Sequence, residues 1–177
     1  MLVLKSRNQK IAVSSMFAAI CCVATMVVRI PTIGTNGYVN IGDTVVFLCA
    51  CLIGGVYGVA AAGVGSALAD LLADYPQYVP GTFVIKAAMA FTIILIIKLV
   101  QKYNINKTLG YIVAGAVAEI VMVAGYFLYE ATILGYGVAA AASIPSNIAQ
   151  GGTCLVISVI LIKALEANRA FKRLNVM

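Results

Sequence analysis

Lys86 stands inside an apolar run about one and a half turns after Pro80, and its charge is the first thing to explain. A lysine at mid-bilayer costs about 2.5–3.5 kcal/mol on insertion scales, so an intramembrane ionisable group marks a functional site. The chemistry it offers is a cation presented to an acidic or hydroxylated ligand, held in place by Asp70 or Glu119. The bland alternative is a lysine that snorkels to the membrane interface.

Other polar residues gather around the same depth. Gly115, Glu119, Met122, Tyr126 and Glu130 follow i, i+4, i+7, i+11 and i+15 spacing, which places them on one face of a helix. A carboxylate in mid-span with a tyrosine two turns away reads as a pocket wall, or as a Glu119–lysine pair that packs helices. Asn147 and Gln150 are three apart and share a face near the start of another apolar run. Their amides donate and accept together, which suits the edge of a heterocycle, although such groups also join membrane helices to each other. Asp70 ends a run of small residues, Gly54, Gly58, Ala62 and Ser66, that lets helices approach closely. Asp43 follows Gly42 at the start of an apolar segment, where a helix N-cap is at least as good a reading as ligand contact. Asp74 precedes Tyr75-Pro76 and reads as solvated. Tyr38, Tyr75, Tyr78, Tyr129 and Tyr136 fall at segment ends or loops, as an aromatic belt would, with one or two free to stack on a bound ring.

These residues need a membrane to position them. Hydrophobic residues make up 63% of the chain and charged ones 10%, and mean hydropathy is +1.04. A soluble domain carries about 25% charged residues. The composition predicts an all-α integral membrane bundle, one domain over residues 1–177, with transmembrane helices at roughly 10–30, 44–54, 57–73, 80–100, 108–129 and 145–164. The second is short, and Gly54-Gly55-Val56-Tyr57-Gly58 leaves little room to turn into the third. The N-terminal apolar run lacks an A-x-A cleavage site, so it reads as a retained first helix. Of the 12 basic residues, all but Arg29 and Lys86 fall on one side of such a bundle. That asymmetry predicts cytoplasmic termini and a polar outer half holding Asp43, Asp70, Asp74 and Glu130.

The same patterns exclude several classes. Basic residues form short clusters at the ends of apolar runs, with no stripe for nucleic acid. The five cysteines all sit in apolar runs and read as free thiols. With no histidine and no paired C-x-x-C, neither a metal site nor a cofactor is expected. There is no phosphate loop and no nucleophile elbow, so the chain is not expected to be an enzyme or to hydrolyse ATP.

Tyr38-Val39-Asn40-Ile41-Gly42-Asp43, the run from Gly63 to Leu72, Tyr75-Pro76-Gln77-Tyr78-Val79-Pro80-Gly81 through Lys86, Gly125-Tyr126-Phe127-Leu128-Tyr129-Glu130 and Pro145-Ser146-Asn147-Ile148-Ala149-Gln150-Gly151 occur in that order. In this the chain resembles the substrate-binding S component of energy-coupling factor (ECF) vitamin transporters, in the riboflavin-type branch that also holds hydroxymethylpyrimidine and vitamin B6 proteins. The resemblance implies a multi-pass protein of the bacterial cell membrane that captures a vitamin from outside. It then topples on a transmembrane T protein with two cytoplasmic ATPases, as part of an ABC-type importer. The implied pocket is built by helices four to six and covered by the loop between helices one and two. Matching positions are Lys86, Glu119, Tyr126, Asn147 and Gln150, with Asn36, Tyr38 and Asn40 in the covering loop and Asp70 beside them. The family docks its partner through an A-x-x-x-A ribbon on helix one; here Ser14-x-x-x-Ala18 and Ser15-x-x-x-Ala19 stand in its place. One cation and two or three acids suit a small pyridine or pyrimidine vitamin (vitamin B6 or hydroxymethylpyrimidine), with riboflavin next. The competing expectation is a stand-alone secondary transporter with Glu119 as its proton-coupling carboxylate.

Overall fold

The computed structural model describes residues 2, 4, 6–32, 35 and 37–168. Asn36 lies outside the described residues, as do Lys5, Arg169, Lys172 and Arg173 of the charge asymmetry. Helix α1 (Arg7–Val27) starts on a capping box, in which Ser6 and Gln9 each accept from the other's backbone N–H. A short hairpin follows, β1 (Ile30–Pro31) against β2 (Tyr38–Val39), antiparallel with Ile30 opposite Val39. It is an element that the all-α expectation did not contain. Helix α2 (Gly42–Leu48) continues as a π-helical turn (Cys49–Ile53), and α3 (Gly55–Leu72), α4 (Val79–Lys102) and α5 (Lys107–Leu128) come next. A second π-helical turn (Tyr129–Ile133) and a 3₁₀ segment (Gly137–Ser143) lead to α6 (Ile144–Ala167).

Local chemistry sets these boundaries. Pro80 and Pro145 occupy the first turns of α4 and α6, where a missing N–H costs nothing. Asn106 caps α5 by accepting from Thr108 N and Leu109 N. Between the first π-helical turn and α3 the chain reverses at Gly54 and Gly55, with φ of 67° and 54°, a region closed to most side chains.

Five helical stretches are long and apolar enough to cross a membrane, and the segment Gly42–Ile53 is not. Its 7 α-helical and 5 π-helical residues span about 18 Å at about 1.5 Å per residue, against a hydrocarbon core of about 30 Å. It reaches from the hairpin to the N-terminal end of α1, where Leu2 N donates to Leu52 O, and it is the most enclosed helix. Every residue from Gly42 to Phe47 is buried, the signature of a helix enclosed on all sides. The packing runs α1 to α3, α3 to α4, α4 to α5 and α5 to α6, and α2 closes the ring between α6 and α1. The outer faces carry exposed Val23, Val84, Ile120 and Ile160, and all five cysteines are free thiols. The α1–α3 contact depends on Gly65, where an added Cβ would stand 2.4 Å from the Ala18 carbonyl oxygen.

Candidate functional site

Lys86 is 1% exposed and forms a salt bridge with Asp43, itself 1% exposed, on the first turn of α2. This corrects two sequence expectations. Neither Asp70 nor Glu119 holds the lysine, and Asp43 is not a helix cap: the N-cap of α2 is Ile41, which makes no side-chain capping bond. The second oxygen of Asp43 accepts from Gln150 Nε2 on α6. Gln150 Oε1 in turn accepts from Asn40 N at 2.6 Å, and Asn40 Oδ1 accepts from Gly42 N at 2.8 Å. One buried network therefore ties α4, α2 and α6 to the strand that leads out of the hairpin. Two charges taken from water demand this pairing, because either alone would be costly to bury.

Beside the network, under the hairpin, lies a small cavity. Its wall is made by Thr32, Gly37, Tyr38, Asn40, Asp70, Tyr78, Thr82, Tyr126, Glu130, Asn147 and Gln150, and the free space inside is about 20 Å³. That is room for a water molecule or two. Tyr38 donates to Asp70 Oδ1 at 2.6 Å, and Asp70 Oδ2 has no hydrogen-bond partner among the described residues. Tyr78 and Ser143 donate to the two oxygens of Glu130 at 3.0 and 2.6 Å. Thr82 Oγ1 and Tyr126 OH lie 3.0 Å apart. Burial, and then the adjacent Asp70 carboxylate, push the Tyr38 phenol above its ordinary range. Burial and the Glu130 carboxylate do the same to Tyr78. Both hydroxyls therefore stay protonated and keep donating.

Of the residues singled out from the sequence, Tyr38, Asn40, Asp70, Tyr126, Asn147 and Gln150 meet at this cavity. Lys86 stands behind its wall, with its ammonium 5.2 Å from the centre of the Tyr126 ring. Glu119 is elsewhere. It lines a groove between α5 and α6 with Ile120, Val123, Phe127 and Ile148, and its Oε2 is buried without a partner among the described residues. The helix-one ribbons also divide. Ser14 is buried and Ala18 half-buried towards α3, whereas Ser15 and Ala19 are exposed. Sequence reasoning missed Thr32, Tyr78, Thr82 and Ser143, and gave Glu130 no role beyond its place on the α5 face. Tyr78 was assigned to the belt but is buried; its spacing from Thr82 and Lys86 along one side of α4 was the available signal.

The site is thus a polar cavity beside a short hairpin, in a helical bundle with five helices long and apolar enough to cross a membrane. The model of the family described as "ECF-type riboflavin transporter, S component" matches residues 5–167, and the chain belongs to that family. A Pyrococcus woesei protein described as "Uncharacterized protein in gap 3'region" is 37% identical over 135 residues, covering 76% of this chain and 86% of its own. A solved structure described as "Structure and mechanism of the S component of a bacterial ECF transporter" superposes with a TM-score of 0.68 at 22% identity. That match covers 91% of this chain and 97% of the other, and it supports the fold. The protein is thus a multi-pass membrane protein of the ECF S-component class, the vitamin-binding subunits of these transporters.

Proposed function

We propose that this chain captures a small pyridine- or pyrimidine-type vitamin or precursor from outside the cell and delivers it by toppling on a T protein with two ATPases. Vitamin B6 and hydroxymethylpyrimidine are the first candidates, and riboflavin, for which the family is named, is the next. The observation that carries the reading is the cavity under the hairpin. Apart from Gly37, every residue in its wall has a hydrogen-bonding side chain. Asn147 there is 6% exposed and bonds to none of the described residues. Few well-placed polar groups are what a small-molecule site needs. At about 20 Å³ the cavity must widen to admit a vitamin.

Mass spectrometry of small molecules that co-purify with the detergent-solubilised protein, followed by calorimetric titration, tests this directly. A stoichiometric pyridine, pyrimidine or flavin compound is the expected result. An apparently ligand-free protein that also ignores a vitamin panel would overturn the reading. One observation favours a second reading, a proton-coupled carrier: the buried, unpartnered Oε2 of Glu119. Uptake that collapses with an uncoupler while ATP is held constant would support it; dependence on partner ATPases would remove it.

A further inference from the structure

The sequence suggested a cation presented to an acidic or hydroxylated ligand, and the geometry instead turns carboxylates towards the cavity. Lys86 is committed to Asp43 behind the wall. The cavity itself is lined by two carboxylates, Asp70 at 4% exposure and Glu130 at 2%. Neither makes an ion pair among the described residues. Glu130 accepts from two neutral hydroxyls, and Asp70 accepts from the Tyr38 phenol with the Thr82 hydroxyl close by, while its Oδ2 meets no well-aligned donor among the described residues. Arg29, the other basic residue at this end, points its guanidinium at the Ala73 carbonyl oxygen, 3.5 Å away, and does not line the cavity.

Three tyrosines complete the wall. The rings of Tyr78 and Tyr126 lie 6.4 Å apart between centroids, and Tyr38 stands beside Asp70. The ammonium of Lys86 lies over the Tyr126 ring. Aromatic faces attract cations, the more strongly once water is excluded. Buried carboxylates without a counter-ion are costly until a cation or a proton reaches them.

We propose that the ligand of this cavity is an organic cation, a small heterocycle of net positive charge bearing a protonated amine or a quaternary ring nitrogen, whose charge sits on Asp70 Oδ2 beside the tyrosine rings. Asn147 faces a neutral edge of the same ring. The inference rests on the vitamin-binding reading above and narrows its substrate class. A neutral flavin ring would leave Asp70 Oδ2 without a cation.

The test is calorimetric titration at pH 7 of the purified full-length protein with pyridoxamine and thiamin, which carry a net positive charge, against pyridoxine and riboflavin, whose net charge is zero. Pyridoxamine and pyridoxine differ by an aminomethyl in place of a hydroxymethyl group. The expected result is at least tenfold tighter binding of one of the cations than of either neutral compound, and loss of that preference in Asp70→Asn. This variant keeps an acceptor for Tyr38; Glu130→Gln, which keeps one for Tyr78, is the second and should reduce the preference as well. If either variant fails to fold, the wild-type ranking still decides. Pyridoxine or riboflavin binding as tightly as both cations, or a folded Asp70→Asn that retains the preference, would overturn the inference and leave the vitamin-binding reading standing. Binding of none of the four, with nothing co-purifying, would overturn both.

Discussion

Lys86 and Asp43 are the costliest side chains in this protein to separate. Removing the lysine strands a carboxylate in the bundle's centre, so Lys86→Met is expected to lose about 3–5 kcal/mol of stability. The double variant Lys86→Met, Asp43→Asn should recover most of it, because Gln150 keeps an oxygen to bond while no charge remains. Thermal melting in detergent reads both, and a double variant no more stable than the single would show that the pair is not what matters. Asn147 is the contrasting case, a buried amide that supports nothing else in the fold. Asn147→Ala should leave the melting temperature near wild type and weaken vitamin binding about tenfold, the equivalent of about 1.4 kcal/mol for one buried hydrogen bond. Lys86 could be singled out from its type and depth alone. Its partner could not, since Asp43 is 43 residues away on a segment whose neighbours are known only once the helices are arranged.

The elements show why periodicity went so far and stopped. On α5 it grouped the residues that turn inward: Gly115, Met122 and Glu130 are buried, with Glu119 and Tyr126 half-buried between them. Periodicity names a face, though, and this face meets two gaps, so Tyr126 and Glu130 reach the cavity while Glu119 fills the α5–α6 groove. The hairpin was illegible because strands of two residues carry no alternation to detect. It is secured by Gln150, which holds Asn40 N and Asp43 together. Gln150→Leu frees both at once, and stopped-flow binding should then show dissociation at least tenfold faster with association changed much less, as most affinity differences reside in the off-rate. The α1–α3 seam makes a separate prediction. Gly65→Val puts a branched side chain against the Ala18 carbonyl, and it should lower stability by about 1–3 kcal/mol by overpacking; an unchanged melting curve would mean that α1 is free to shift.

At the scale of the whole molecule, six helices form the bundle, with the short α2 the most enclosed of them, and the exposed side of α1 still offers Ser15 and Ala19. If that side meets the partner module, Ala19→Trp should spare vitamin binding and abolish uptake in cells carrying the module, measured by titration and radiolabel accumulation. Loss of binding would instead assign Ala19 to internal packing. The enclosed position of α2 also has a consequence for biogenesis. A segment this short, with Asp43 at its start, is a poor candidate to enter the bilayer by itself. It must enter with α3 as a helical pair hinged at Gly54 and Gly55, carrying a charge whose partner, Lys86, is not yet made. Lys86 emerges from the ribosome later with α4, and Gln150 only with α6. The centre of the bundle is therefore settled last, when the closing helices arrive around a core that was translated before them.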